Sequence, residues 1–158
     1  MRDRTKYIAG IRRAYIRERA AAQVYRRLAD LRADAGERAK LVTIARVESC
    51  TAVVLEPVAG RVGIACDSRE IDDIVRRQVE ELGALSWPRF IEQAQQAWPP
   101  YVDEFVALSK DAPEMDEPAL RWLVAHERAL VEFLSVEQSH STTLASLAPL
   151  ETLLDTPL

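Results

Sequence analysis

The chain has 158 residues, 48% of them hydrophobic and 29% charged, with only 5 glycines. That suffices to bury one core without cross-links, and it excludes a disordered or glycine-rich polymer. The net charge of −4 is uneven: residues 1–40 hold twelve Lys or Arg against five acids, so the remainder carries −11. No apolar run approaches the roughly 20 residues needed to cross a bilayer. The charged start MRDRTKYIAGIRRAY lacks a signal segment. A cytoplasmic location with no membrane partner is therefore expected, with Cys50 and Cys66 reduced and unpaired.

Four long helical patterns and one shorter one follow in chain order. The first is expected from about Lys6 to Ala33, with the seam Ile11, Ala14, Glu18, Ala21, Tyr25, Leu28 in alternating steps of three and four. Arg12, Arg13, Arg19, Arg26 and Arg27 repeat opposite that seam, as a solvated face does. They are expected to pair with acidic neighbours or a second subunit rather than with nucleic acid, since no interleaved aromatics accompany them. Gly36 ends this helix, and Asp34 and Glu37 form a capping box for the second, from about Glu37 to Pro57. The second seam is Leu41, Ile44, Glu48, Thr51, Leu55.

Pro57, Gly60 and Gly63 loosen the chain into a connection of about 59–85. Asp67 and Glu70 open a short amphipathic helix within it, carrying Ile71, Ile74, Val75, Val79 and Leu82. Ser86 caps the third long helix, whose stripe is Trp87, Phe90/Ile91, Ala94, Trp98, Tyr101, Phe105, Leu108, kinked or split at Pro99-Pro100. Asp116 and Pro118 start the fourth, expected to reach about Leu147. Its seam is Leu120, Leu123/Val124, Glu127, Leu130/Val131, Leu134, Glu137, Ser141, Leu144. Pro149 ends it, and a leucine-bearing tail over 149–158 folds back on the bundle. The whole reads as one all-α domain over 1–158.

Glutamates in apolar seams are the chemical signal. Burying one is costly unless it is paired, protonated or bound to a metal. Glu18 lies about as far before the first turn as Glu48 lies after it, so at about 1.5 Å per residue the two stand at similar heights on antiparallel neighbours. A shared divalent cation relieves their repulsion; an arginine such as Arg17 or Arg46 reaching inward does so equally. The fourth helix offers two further sets, Glu137-x-x-His140 and His126-Glu127, about 15 Å apart. At most one belongs with Glu18 and Glu48. No glycine-rich phosphate loop, nucleophile elbow or Cys-x-x-Cys competes.

Glu18 with Ala21, Tyr25, Leu28 and Ala29 on the first helix, Glu48 on the second, a long connection, and Glu137-x-x-His140 on the last together resemble the ferritin-like superfamily of rubrerythrin type. The resemblance implies a four-helix bundle with a short extra helix between helices 2 and 3. It also implies iron or manganese held by Glu18, Glu48, Glu137 and His140, with Glu127 the alternative, and oxidoreductase activity with dioxygen or peroxide. The chain departs from the pattern at Thr51, where a histidine is expected, and at Ala94 and Ala97, where the third helix lacks its glutamate.

On this reading a small apolar substrate binds near Trp87, Trp98, Tyr25 and Phe133, residues that serve equally well as plain core. Apolar residues outside the seam of the third helix point to a homodimer. The alternative is a metal-free binding or interaction module whose seam glutamates pair with arginines. The sequence leaves open whether the chain is an enzyme.

Overall fold

The computed structural model describes residues 4–157, and among them there is no β-strand. Helix α1 spans Arg4–Leu31 and α2 spans Ala35–Arg61, joined by a turn of three residues that folds them back on one another. Asp34 caps α2, its Oδ1 accepting from the Glu37 amide at 2.8 Å. Two helices this long gain little from propensity alone; their stability comes from the seam they share.

Helix α2 does not stop at Pro57 but continues one turn further, to Arg61. Proline removes one intrahelical hydrogen bond, yet Val58 and Ala59 beyond it are almost fully buried. Arg61 also ion-pairs with buried Asp116, which accepts a second bond from the Tyr7 hydroxyl at 2.9 Å. These contacts carry the helix past its breaker. Past the cap at Val62 the chain turns away at Gly63, whose φ of +74° lies in the left-handed region that glycine enters freely.

Helix α3, Ser68–Gly83, crosses α1 and is anchored by Ile71 and Val75. Its cap Asp67 accepts from the Arg69 amide. Helices α4, Trp87–Ala97, and α5, Pro99–Lys110, are the two halves of the third pattern, separated at Trp98 because Pro99 and Pro100 cannot donate back to the preceding turn. Ser86 stands at the head of α4 but makes no side-chain capping bond. Helix α1 meets α5 closely at Gly10, where a β-carbon would lie 2.6 Å from Leu108 Cδ1.

Helix α6 runs Glu117–His140, shorter than its sequence pattern. Beyond it, Ser141 and Leu144 face solvent, and a 3₁₀ turn at Ala145–Leu147 leads into α7, Ala148–Leu154. Pro149 thus sits in the first turn of α7, where a missing amide costs nothing. Leu147, Leu150 and Leu153 pack this tail against the bundle.

The buried apolar side chains form two clusters. One holds Val24, Leu28, Leu41, Ile44, Phe90, Trp98, Leu130 and Phe133 with their neighbours. The other holds Tyr7, Ile11, Leu55, Phe105, Leu120 and Leu123. On α1 the boundary falls between Tyr15 and Ile16 and on α2 between Val47 and Leu55, while on α6 Trp122 joins the first cluster and Leu123 and Val124 the second. Buried charged side chains lie beside this boundary.

Candidate metal centre

Glu18 on α1, Glu48 on α2 and His126 on α6 form one level beside the boundary between the two clusters. One ligand atom from each lies within 4.8 Å of the others, and all three residues are buried. His126 Nδ1 stands 3.4 Å from Glu18 Oε2, and Nε2 stands 3.5 Å from Glu48 Oε2. None of these is a hydrogen bond of ordinary length and angle. Glu18 Oε2 and both imidazole nitrogens are buried without a hydrogen-bond partner.

Thr51, one turn along α2, donates to the Val47 carbonyl at 3.0 Å and accepts from Trp122 Nε1 at 3.0 Å. It is thus fully engaged, and the imidazole of this level comes from α6 instead.

Glu127 lies on the other side of Glu18, joined through Arg17. Arg17 Nη2 reaches Glu127 Oε1 at 2.5 Å and Glu18 Oε1 at 3.3 Å. Its guanidinium lies over the Tyr101 ring, 3.6 Å from the centroid, and 4.6 Å from that of Phe105. Arg17 starts beside the seam rather than on it, and its length carries the charge inward between the rings. Of the two arginines expected to reach inward, Arg17 is the one that meets Glu18 and Glu127, while Arg46 stays exposed.

Burial sets the electrostatics. Loss of water, reinforced by the nearby charge of Glu48, pushes the Glu18 carboxyl up to about 8. Burial likewise pushes Glu48 to about 7, against a hydrogen bond from the Glu18 carboxyl; that bond exists only while Glu18 keeps its proton, and with both groups ionised the pair has no donor. Burial also raises Glu127 to about 7, against the pull of His126 and Arg17. Three carboxyls at one buried level thus hold protons near neutrality unless a cation takes their place.

Glu137 and His140 are not brought to this cluster. Lys40, almost fully buried, donates to Glu137 Oε1 at 2.7 Å and to the Ser141 carbonyl at 2.7 Å. Trp87 Nε1 donates to the same oxygen at 2.8 Å, and Ser146 Oγ to Oε2 at 2.6 Å. With three donors on its two oxygens, Glu137 is a junction between α2, α4, α6 and the tail. His140, three residues on, ends α6 and is exposed. The other acids of the third pattern also lie outside the cluster: Glu92 pairs with Arg89, and Glu104 with Arg13.

A cleft of about 170 Å³ reaches the cluster from the side of α3 and α4. Glu48, Glu127 and Arg17 form its inner end, and Tyr25, Trp98 and Tyr101 its aromatic walls. Ala21, Ala94 and Ala97 line it too, so the alanines that depart from the resemblance are what leave the space open. Gln93 Nε2 donates to Glu81 Oε1 at 3.0 Å, tying α4 to α3 beside the cleft. Of the four aromatics expected around a substrate, Tyr25 and Trp98 line this space. Trp87 is bound to Glu137, and Phe133 is fully buried core.

The residue missing from the ligand set that the resemblance implies is His126, which the sequence offered only as the neighbour of Glu127. Its signal was present: Leu123 and Leu130 flank it at steps of three and four, and the seam is doubled at 123/124 and 130/131. The step between, 126/127, is doubled as well.

Comparison with protein families, with curated proteins and with solved structures gives no match. The site's own chemistry therefore carries the functional reading.

Proposed function

We propose that the chain is a ferritin-like four-helix bundle holding one divalent transition-metal ion, iron or manganese, between Glu18, Glu48 and His126. Its cleft admits a small apolar ligand for oxidoreductase chemistry. The observation that carries this reading is the convergence of buried atoms that lack partners: Glu18 Oε2 and both His126 nitrogens, beside Glu48. Such atoms are rare in folded proteins because each costs roughly 1–3 kcal/mol, and an ion bound to Glu18 Oε2 and one imidazole nitrogen removes that cost for those two atoms.

The dimensions suit an ion. Ligand atoms about 2.1 Å from a common centre stand roughly 3.4 Å apart in a tetrahedron and at most about 4.2 Å apart across an octahedron. The set as a whole lies within 4.8 Å. His126 offers a single nitrogen to an ion, so only one of the shorter separations, 3.4 Å from Nδ1 to Glu18 or 3.5 Å from Nε2 to Glu48, is an edge of the coordination sphere, and the other carboxylate must swing in to join it. Two carboxylates and one imidazole suit iron(II), manganese(II) or zinc(II) better than calcium, which prefers oxygen alone.

Charge favours the same reading. Glu18, Glu48 and Glu127 carry three negative charges and Arg17 one positive charge. With a neutral imidazole the level stands at −2, and one divalent cation brings it to zero. Iron or manganese bound there would supply one-electron exchange with dioxygen or peroxide. The chain's own residues would fix the ion between two apolar clusters, exclude bulk water, and orient a small ligand against the edge-to-face pair of Tyr25 and Trp98.

A second reading has its own observation. Arg17 already pairs with Glu127, and the two imidazole nitrogens face different carboxylates. Protons held by the raised Glu18 and Glu48 carboxyls, with Arg17 on the remaining charge, would then keep the level close to neutral, and the bundle would be a metal-free binding module.

Metal analysis of protein produced with iron and manganese supplied separates the two. About one equivalent per chain is expected, lost in Glu48→Ala and in His126→Ala while helicity is retained. Wild-type protein that stays free of metal under those conditions would leave the second reading standing alone.

A further inference from the structure

Glu18 turns its two oxygens in opposite directions. Oε2 faces His126, the side on which the proposed ion is held. Oε1 faces Arg17, whose same nitrogen Nη2 reaches Glu127 Oε1. Glu127 is 3% exposed, sits next to His126 in sequence, and lines the same cleft as Glu48. The layer thus has two cationic positions with Glu18 shared between them, and the second is filled by a guanidinium.

We infer that Arg17 stands in the place of a second metal ion and thereby holds this centre to one. The inference rests on the metal reading above and adds the residue that sets its stoichiometry. A guanidinium has no lone pair to offer a metal, stays charged at every working pH, and is fixed here between the Tyr101 and Phe105 rings. With one divalent ion the level sums to zero; a second ion beside Arg17 would raise it to +2 in a buried layer. Removing the arginine charge changes the balance. The layer then stands at −1 with one ion and +1 with two, and Glu127 is released to share the vacated position with Glu18.

The test is the stoichiometry of cobalt(II) binding to the full chain, read by equilibrium dialysis with metal analysis and by the visible spectrum of the bound ion. Wild type and Arg17→Lys are expected to bind one equivalent and Arg17→Gln two, the second more weakly. One equivalent in both wild type and Arg17→Gln would overturn the inference and leave the metal site intact. Two equivalents in wild type would overturn it also. No binding to any of the three would instead remove the metal reading on which it rests. Should Arg17→Gln fail to fold without metal, Glu127→Gln provides the second measurement. One equivalent retained there supports Glu127 as the partner of Arg17 and not of the resident ion, whereas its loss overturns the assignment.

Discussion

Metal-free protein should lose stability as pH rises, opposite to the usual behaviour of carboxylates that form salt bridges on folding. The perturbation is the deprotonation of Glu18. Its folded value is raised from 4.5 to about 8 by burial and by the charge of Glu48. Between those values the folded state binds more protons than the unfolded state, so the free energy of unfolding falls as pH increases. The stabilisation is fully present below about pH 4.5 and is lost as pH passes through about 8. A group titrating alone over that interval accounts for on the order of 5 kcal/mol. At roughly 2–4 °C per kcal/mol for a domain of this size, the melting temperature should drop by 10 °C or more between pH 5 and pH 9. Thermal unfolding followed by circular dichroism, in chelator and at fixed ionic strength, measures this. Glu18→Gln carries no titrating proton at that position and should show a visibly flatter profile. Saturating manganese(II) should flatten it as well, because the ion replaces the protons. A wild-type melting temperature that is level or rising over this range, or a profile identical to that of Glu18→Gln, would refute the account of the layer.

Lys40→Met leaves Glu137 buried and short of its cation, and should cost about 3–5 kcal/mol in chemical denaturation, whereas Lys40→Met with Glu137→Leu should recover most of that loss. Metal content should be unchanged in the double variant, since this junction lies apart from Glu18, Glu48 and His126. Ala94→Leu should fill the cleft and abolish binding of small aromatic probes, read by quenching of tryptophan fluorescence, while the ion is retained. Gly10→Ala brings a β-carbon against the flexible end of the Leu108 side chain, which can turn aside, and gains about 1 kcal/mol of helix propensity, so chemical denaturation should show a net change of no more than about 1 kcal/mol.

The helices and the pairing of Glu18 with Glu48 were readable from the sequence because both depend on period and on distance from a turn. Counting residues either side of the first turn placed two carboxylates at one height, and they do lie together. What periodicity could not decide was which of several inward positions on α6 completes the level. Glu127 and Glu137 share a seam, yet they end in different company. Lys40 claims Glu137 across 97 positions of sequence, and Arg17 claims Glu127 across 110. Both partners reach their targets through side-chain length from off-seam or polar positions, which a helical pattern does not encode. Similarly, Pro57 read as a stop signal, but the burial of Val58 and Ala59 outweighed the one bond it removes.

Helix α3 has only Ile71 and Val75 fully buried, yet Gln78, Glu81 and Leu82 flank the way in to Glu48. Ile74, Val79 and Leu82 are only partly buried and the Arg12–Glu70 and Gln93–Glu81 bonds lie at the surface, so this helix should open from α1 more often than the bundle itself does. The residence time of anything held at the buried layer would then be set by the opening of this strap, and amide exchange along residues 68–83 would be its clock.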